Sequence, residues 1–336
     1  MKNITDFVSK TSKNITHLLK PEKNDFLVFS GNSNVPLAQE IAISAKAHLG
    51  AVKLKKFSDG EIYCQYTQSL RGKDIFIVQS TDSHQAIMEL LIMLHAARHA
   101  KAKRIIAVVP YFGYSRQDVK DEPRACMSGQ LMLNLIEASG ATHIILAELH
   151  NQALTNAVKQ ITFDHLYLSQ QLWPEFKKIS NLVVINLDAG GSKMARYYAK
   201  KLKAKRATAD KIRDGHNKVK EIVVIGDVAD RNVLIVDDLD DTSGTIDMGV
   251  NTLINLGAKN IYASCIHAVL SGKGISRLVE NKNLKQIIFT NTLDRSSFNF
   301  PEKIKIVSVA EVFAQAIVRF HKNQSIDSLF EQNLVV

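Results

Sequence analysis

The segment NVLIVDDLDDTSGT at 232–245 combines an apolar run with a dense set of carboxylates and hydroxyls. Residues 233–236 are apolar without a break, the pattern of a strand buried on both faces of a parallel sheet. That run delivers Asp237 and Asp238 to its end, where two carboxylates are costly unless cations or hydroxyls meet them. Asp241, Thr242, Ser243, Gly244 and Thr245 follow as a turn opening a helix, whose free N–H groups suit an anion. In open α/β sheets ligands bind beyond the carboxyl ends of the strands, which is where these acids fall. The chemistry that fits is a sugar phosphate, with carboxylates for ribose hydroxyls and the loop for the phosphate. An ordinary helix cap with solvated aspartates is the plainer reading, but paired acids followed by D-T-S-G-T is a demanding match.

Other residues carry chemistry less specifically. Asp188, Ala189, Gly190 and Gly191 follow an apolar run at 182–187; the glycines let a backbone approach a pyrophosphate, and the Asp can hold Mg²⁺ through water. Lys211 and Arg213, two apart on an extended segment, can stabilise charge on a transferring phosphoryl group, or else form a surface basic pair. His150 follows Glu148 at the end of the strand expected at 143–149, where it reads equally as a metal or acid–base residue and as a core histidine. Arg116 and Gln117, in the long loop 110–124, offer a planar cation and an amide for phosphate and a base edge. Phe57, Asp59, Gly60 and Glu61 lie between two strand patterns and read first as a hairpin turn or flap. His95 and His99 have zinc-like spacing, but with Arg98 between them they read as a solvated helix face.

These residues need a scaffold, and the remaining pattern supplies one. Strand and helix signals alternate nearly to the end of the 336 residues, the sign of an α/β fold built on mainly parallel sheets. Strands are expected at 26–30, 52–57, 74–79, 104–109, 143–149, 182–187, 221–225, 233–236, 261–267 and 285–290. Helices fit 36–48, 128–139 closed by Gly140, 245–256 closed by Gly257, and 309–321. With 46% apolar residues the chain can bury two cores of ordinary domain size. The likeliest junction is 151–173.

Composition narrows the partners. A net charge of +10 suits either a nucleic-acid surface or a protein that handles polyphosphates, and its lysines are scattered without aromatic interleaving. No apolar run approaches the roughly 18 residues needed to cross a bilayer. Residues 1–25 are polar and basic and lack the apolar core of a secretory signal; they read as an extension or a loose amphipathic helix, with mitochondrial targeting a lesser reading. Cys64, Cys126 and Cys265 are few, odd in number and widely spaced, which points to a reducing, cytoplasmic setting without disulfides or a zinc site.

In order along the chain, FSDGE, GKDIFIVQST, MELLIMLHAARHAKAKRI, PYFGYSRQD, ELHN, DAGG, DKIR, GDVADRNVLIVDDLDDTSGT, HAVLSG and SIDSLF resemble the ribose-phosphate pyrophosphokinase family, over about 26–330. The resemblance implies two tandem type I phosphoribosyltransferase-like domains, at 24–163 and 164–308. An N-terminal extension at 1–23 and a C-terminal segment at 309–336 complete the chain, with helix 309–321 packing back on the first domain. It implies transfer of the β,γ-diphosphoryl group of ATP to the anomeric hydroxyl of ribose 5-phosphate. Phe57, Asp59, Gly60 and Glu61 of one subunit and Arg116 and Gln117 of another would bind ATP. His150 and Asp188 would lie at Mg²⁺, and residues 188–191 would form the pyrophosphate loop. Lys211 would be catalytic, joined by Arg213, which would also help hold the sugar phosphate. Asp237 and Asp238 would take the ribose hydroxyls, and residues 241–245 the 5-phosphate. A shared ATP site implies at least a homodimer, with hexamers frequent, and neither nucleic acid nor membrane as a partner.

The chain departs from the family's pattern in places. VKDEPRACMSGQ follows RQD in place of a basic run ending in Arg-Glu-Pro-Ile. Met194 stands for a common Arg, Glu148 for a common Asp, and Asn186-Leu187 for the usual Ser-Pro. These departures bear on phosphate regulation and rate more than on reaction class. A non-catalytic scaffold subunit is the alternative, yet it has no need of Lys211, Arg213, His150, Asp188 and the whole loop. An ordinary phosphoribosyltransferase explains the loop but not the first lobe or RQD.

Overall fold

The computed structural model describes residues 26–120, 122–157, 160–188, 191–214 and 218–329. The expected extension at 1–23, Ala189 and Gly190, and the residues after 329 lie outside that description.

The first half begins with β1 (Phe26–Ser30) and α1 (Val35–Ser44), then the antiparallel hairpin of β2 (Val52–Lys56) and β3 (Ile62–Tyr66). β4 (Asp74–Val78), α2 (His84–His99), β5 (Arg104–Val109), α3 (Ser128–Ala138), β6 (His143–Ala147) and β7 (Thr162–Leu166) follow. The five-stranded sheet runs β1-β4-β5-β6-β7, all parallel. β4 and β6 are buried at every position, as a sheet covered on both faces requires. α1 and α2 start at side-chain caps: Asn34 accepts from the Leu37 N–H at 3.2 Å, and Ser83 Oγ from the Ala86 N–H at 3.1 Å. Gly140 ends α3 at φ +109°, which a side chain would resist.

The second half holds the single turn α4 (Ser169–Leu172), β8 (Leu182–Asn186), α5 (Ser192–Leu202), β9 (Lys205–Asp214), β10 (Lys218–Ile225) and β11 (Asn232–Asp240). It continues through α6 (Gly244–Asn255), β12 (Asn260–Ala268), α7 (Gly274–Glu280), β13 (Leu284–Thr290), β14 (Ile304–Val307) and α8 (Ala310–His321). The seven-stranded sheet runs β10-β9-β8-β11-β12-β13-β14 and is parallel except at β9–β10.

Three elements differ from the sequence-based expectation. β7 lies inside the stretch that reads as a junction, because an edge strand with exposed Thr162 and Phe163 lacks the unbroken apolar run of its neighbours. The strand carrying Lys211 is ten residues long; its pairing with β8 ends at Thr208, and beyond that it runs on with β10 as a two-stranded antiparallel arm. β14 is a short edge strand with no clear periodicity.

α8 packs against α1. One apolar cluster runs from Val28 and Ile106 of the first sheet through Phe313 and Ile317 of α8 to Val184 and Tyr198 of the second half. Phe313 and Ile317 are fully buried there, each worth roughly 1.5–3 kcal/mol against exposure. The end of α8 is tied to the first sheet by Arg104, which donates to the Phe320 and His321 carbonyls and pairs with Asp74. The carboxyl ends of the two sheets meet: Ser80 Oγ, past β4, donates to the Thr292 carbonyl, past β13, at 2.7 Å.

Candidate functional site

Between those ends lies a cavity of about 750 Å³, bounded by the end of β6, the loop after β8, the arm β9 and the end of β11 with the start of α6. Each of these strands stops being apolar where it reaches the opening, and polar side chains take over.

On β11 the buried run at 233–236 hands over to Asp237 and Asp238. Asp238 Oδ2 lies 2.7 Å from His150 Nδ1, and its Oδ1 accepts from the Leu239 N–H at 2.9 Å. Burial and the neighbouring Asp238 push the Asp237 carboxyl well above the usual carboxylate range. Burial presses Asp238 the same way, but the His150 imidazole outweighs it and Asp238 stays below its ordinary value. His150 is raised in turn, first by its bond to Asp238 and against its own partial burial. The pair therefore holds one carboxyl inclined to keep its proton beside one that stays ionised.

Across the cavity Lys211 Nζ donates to Asp188 Oδ2 at 3.0 Å, with only 12% of the lysine side chain exposed. At the far end, residues 241–243 turn into α6. Ser243 sits at φ +57° as the N-cap, yet no side chain caps the helix, because the Ser243 hydroxyl donates instead to Asp240 Oδ2 at 2.7 Å. The first turn of α6 thus keeps its N–H groups for an incoming anion. Burial lifts the Asp240 carboxyl to about 6. The loop is braced from outside: Arg277 of α7 donates to the Thr242 carbonyl at 2.6 Å, and Asp241 accepts from Arg116 at 2.9 Å and from Ser271.

Beneath the site is a dry polar layer. Burial raises the Glu148 carboxyl to about 8, and its Oε2 accepts from the Leu168 N–H at 2.7 Å. Burial holds His165 and His267 down to about 4, so both stay neutral. His165 Nε2 accepts from the Leu149 N–H at 2.8 Å, and His267 Nε2 donates to the Glu148 carbonyl at 3.2 Å.

Comparison with known proteins adds the decisive observation. The family description "N-terminal domain of ribose phosphate pyrophosphokinase" matches residues 26–140, and "phosphoribosyl synthetase-associated domain" matches 188–331. The chain is 39% identical over 313 residues to a ribose-phosphate pyrophosphokinase of Fusobacterium nucleatum, covering 91% of this chain and 98% of that protein. A chloroplastic ribose-phosphate pyrophosphokinase of Arabidopsis thaliana is 41% identical over 310 residues, 90% of this chain and 77% of the relative. The crystal structure of phosphoribosylpyrophosphate synthetase from Mycobacterium smegmatis superposes with a TM-score of 0.81 at 30% identity, over 89% of this chain and 99% of that one. The chain belongs to the ribose-phosphate pyrophosphokinase family.

Within this pyrophosphokinase chain, one cavity gathers His150, Asp188, Gly191, Lys211, the β11 carboxylates Asp237, Asp238 and Asp240, the loop 241–245 and Arg116. The hairpin residues Phe57, Asp59, Gly60 and Glu61, and Gln117, do not line it. Phe57 is 52% exposed, its ring edge-on to Tyr63, and Asp59 Oδ1 accepts from the Glu61 N–H at 3.0 Å. The side chain of Arg213 lies outside the described residues, as do Ala189 and Gly190. His95 and His99 are exposed on α2, 3.2 Å apart between Nε2 atoms and away from the cavity.

Sequence reasoning passed over several residues that shape the site. Asp240 sits inside the acidic run but differs from its neighbours only in pointing inward, which local sequence does not reveal. Arg277 lies on a short helix without an earlier signal. Asn151, which donates to Asp118 at 2.5 Å and so ties the RQD loop to the end of β6, stands in the ELHN motif without a role assigned.

Among the described residues no three His, Cys, Asp or Glu side chains form a metal-binding group. His150 and Asp188 nevertheless open on the same cavity. Two protein ligands suit Mg²⁺, which takes most of its six oxygens from water and substrate phosphates.

Proposed function

We infer that the chain is a ribose-phosphate diphosphokinase, moving the β,γ-diphosphoryl group of ATP to the anomeric hydroxyl of ribose 5-phosphate. The hydroxyl oxygen bonds to the β-phosphorus, the bond from that phosphorus to the α-phosphate oxygen breaks, and AMP leaves. The observation that carries the reading is the single cavity in which Lys211 and Asp188 face the β11 carboxylates and the uncapped start of α6.

On this reading the loop 241–245 takes the 5-phosphate on main-chain N–H groups and hydroxyls, while Asp237 and Asp238 take the ribose hydroxyls. Lys211, joined by Arg213, neutralises charge on the diphosphoryl group, and residues 188–191 cradle it. Transfer of this kind needs alignment and neutralisation more than covalent catalysis. His150 and Asp188 would hold Mg²⁺, which would supply further charge neutralisation. The arm of β9 and β10, closing over the site, keeps out the water that would hydrolyse ATP.

The first unit, 24–163, contributes the nucleotide side and the second, 164–308, the sugar phosphate. The exposed Phe57 and its hairpin serve a neighbouring subunit, completing an ATP site with Arg116 and Gln117 across an interface, so the working form is at least a homodimer and in keeping with a hexamer. No helix among the described residues is long and apolar enough to cross a membrane. The reading places the protein in the cytoplasm, with ATP and ribose 5-phosphate as partners and neither nucleic acid nor membrane. Purified protein given ATP, Mg²⁺ and ribose 5-phosphate should yield AMP and phosphoribosyl pyrophosphate in equal amounts. Folded protein that forms neither product would overturn the assignment.

A further inference from the structure

Asn186 ends β8 and is 4% exposed, one of few uncharged polar side chains buried beside the cavity. Its Nδ2 donates to the Val236 carbonyl at 2.6 Å, and its Oδ1 accepts from the Asp188 N–H at 2.7 Å. Those partners leave no freedom in the amide's orientation, since a carbonyl can only accept and a main-chain N–H can only donate. The β8–β11 ladder stops at the pair Ile185–Ile235. Beyond it the chain of β8 turns away toward Asp188, and the next carbonyl of β11, that of Val236, takes its donor from this side chain. Left bare, that buried carbonyl would go without the hydrogen bond its burial demands. Gly191 closes the arrangement from the other side: a Cβ there would lie 1.9 Å from Asn186 Nδ2.

One buried amide thus joins the two strand ends from which Asp188 and the Asp237–Asp238 pair project. We propose that Asn186 is a positioning residue that sets the separation between these carboxylates, and through them between the diphosphoryl donor and the ribose acceptor. This rests on the roles given to those carboxylates under Proposed function. Neither half of the site depends on Asn186 for its own contacts, since the phosphate loop and the His150–Asp238 pair are built by other residues. Loss of the amide should leave each substrate's binding nearly intact and degrade their mutual alignment, which acts on turnover. Gly191 has an ordinary negative φ of −83°, so alanine is allowed there conformationally, and its Cβ would push on the Asn186 amide.

The test compares Asn186→Ala, Gly191→Ala and the double variant by steady-state kinetics. It adds calorimetry of ribose 5-phosphate alone and hydrogen exchange of residues 182–191. Asn186→Ala should lower kcat about tenfold or more and change the Kd for ribose 5-phosphate by less than about threefold, with faster exchange at Asp188. Gly191→Ala should give the same split on its own, and should speed exchange at Asp188 no further once residue 186 is alanine, because the amide it pushes on is gone. Wild-type kcat in Asn186→Ala, or unchanged exchange at Asp188 in that variant, would overturn the proposal. Should Asn186→Ala not fold, Gly191→Ala with unchanged kcat would overturn it equally. Wild-type protein that makes no product would sink the function instead, while the exchange comparison would still report whether Asn186 restrains Asp188.

Discussion

His150 Nδ1 lies 2.7 Å from Asp238 Oδ2, so an imidazole three residues past the end of β6 is held by a carboxylate of β11 in the other sheet. Neither residue reaches its partner through local structure; the meeting of the two sheet ends brings them together. Asp238 raises the pKa of His150, and the sign of the pH dependence follows. The stabilisation from the charged pair is complete below the ordinary imidazole value near 6.5 and is lost as pH rises through the higher folded value. An NMR titration should find His150 titrating above that ordinary value, and Asp238→Asn should bring it down. An unshifted His150 in the wild type would contradict the pairing.

Lys211 donates to Asp188 from a largely buried position on a sheet-edge arm. Lys211→Ala should reduce kcat on the order of a hundredfold or more, as expected for a lost charge-stabilising donor. Its effect on the Kd for ribose 5-phosphate should be far smaller, because the sugar-phosphate loop is braced by Arg277 and Ser243. Equal losses in both quantities would place Lys211 in substrate binding instead.

The exposed hairpin and the RQD loop provide a test of the shared ATP site. Phe57→Ala and Arg116→Ala should each be weakly active alone. Co-expressed and randomly assembled, they should recover about one quarter of wild-type turnover, since that fraction of interfaces pairs an intact hairpin with an intact loop. If one chain supplied both parts, mixing would restore nothing.

Burial raises Glu148 to about 8 from an ordinary 4.5. The unfolded chain gives up this proton first, so between those values the folded state binds more protons and stability falls as pH rises. The slope ends above the folded value. Urea unfolding of the wild type and Glu148→Gln at pH 5 and pH 8 should therefore diverge. The wild type should lose at least about 1 kcal/mol more than the variant over that interval, less than one full pKa unit's worth being within error. Parallel pH dependence in the two proteins would show that Glu148 is ionised in place.

Much of the chain could be read before any coordinates. The buried strands β4, β5, β6 and β8 declare themselves through unbroken apolar runs, because a sheet covered on both faces tolerates little else. The helix ends at Gly140 and Gly257 are likewise local. Edge elements were not legible in this way: β7, β14 and the full length of β9 follow from pairing with a neighbour, and half-exposed strands carry a weaker pattern.

Sequence alone singled out the candidate site residues: the carboxylates Asp237 and Asp238, the turn at 241–245, the glycines after β8 and Lys211, since residue type and short spacing are local properties. Only the tertiary structure decided which of them share a cavity, and it left Phe57, Asp59 and Glu61 outside. It alone assigned Asn186, His165 and Arg277 their partners Val236, Leu149 and Thr242, which lie 50, 16 and 35 residues away and are too distant for any local pattern to join; these contacts exist because strand ends and a short helix converge in space. The same convergence sets the protonation of Glu148, Asp237 and His150, because burial and neighbouring charge are properties of the fold and not of the residue.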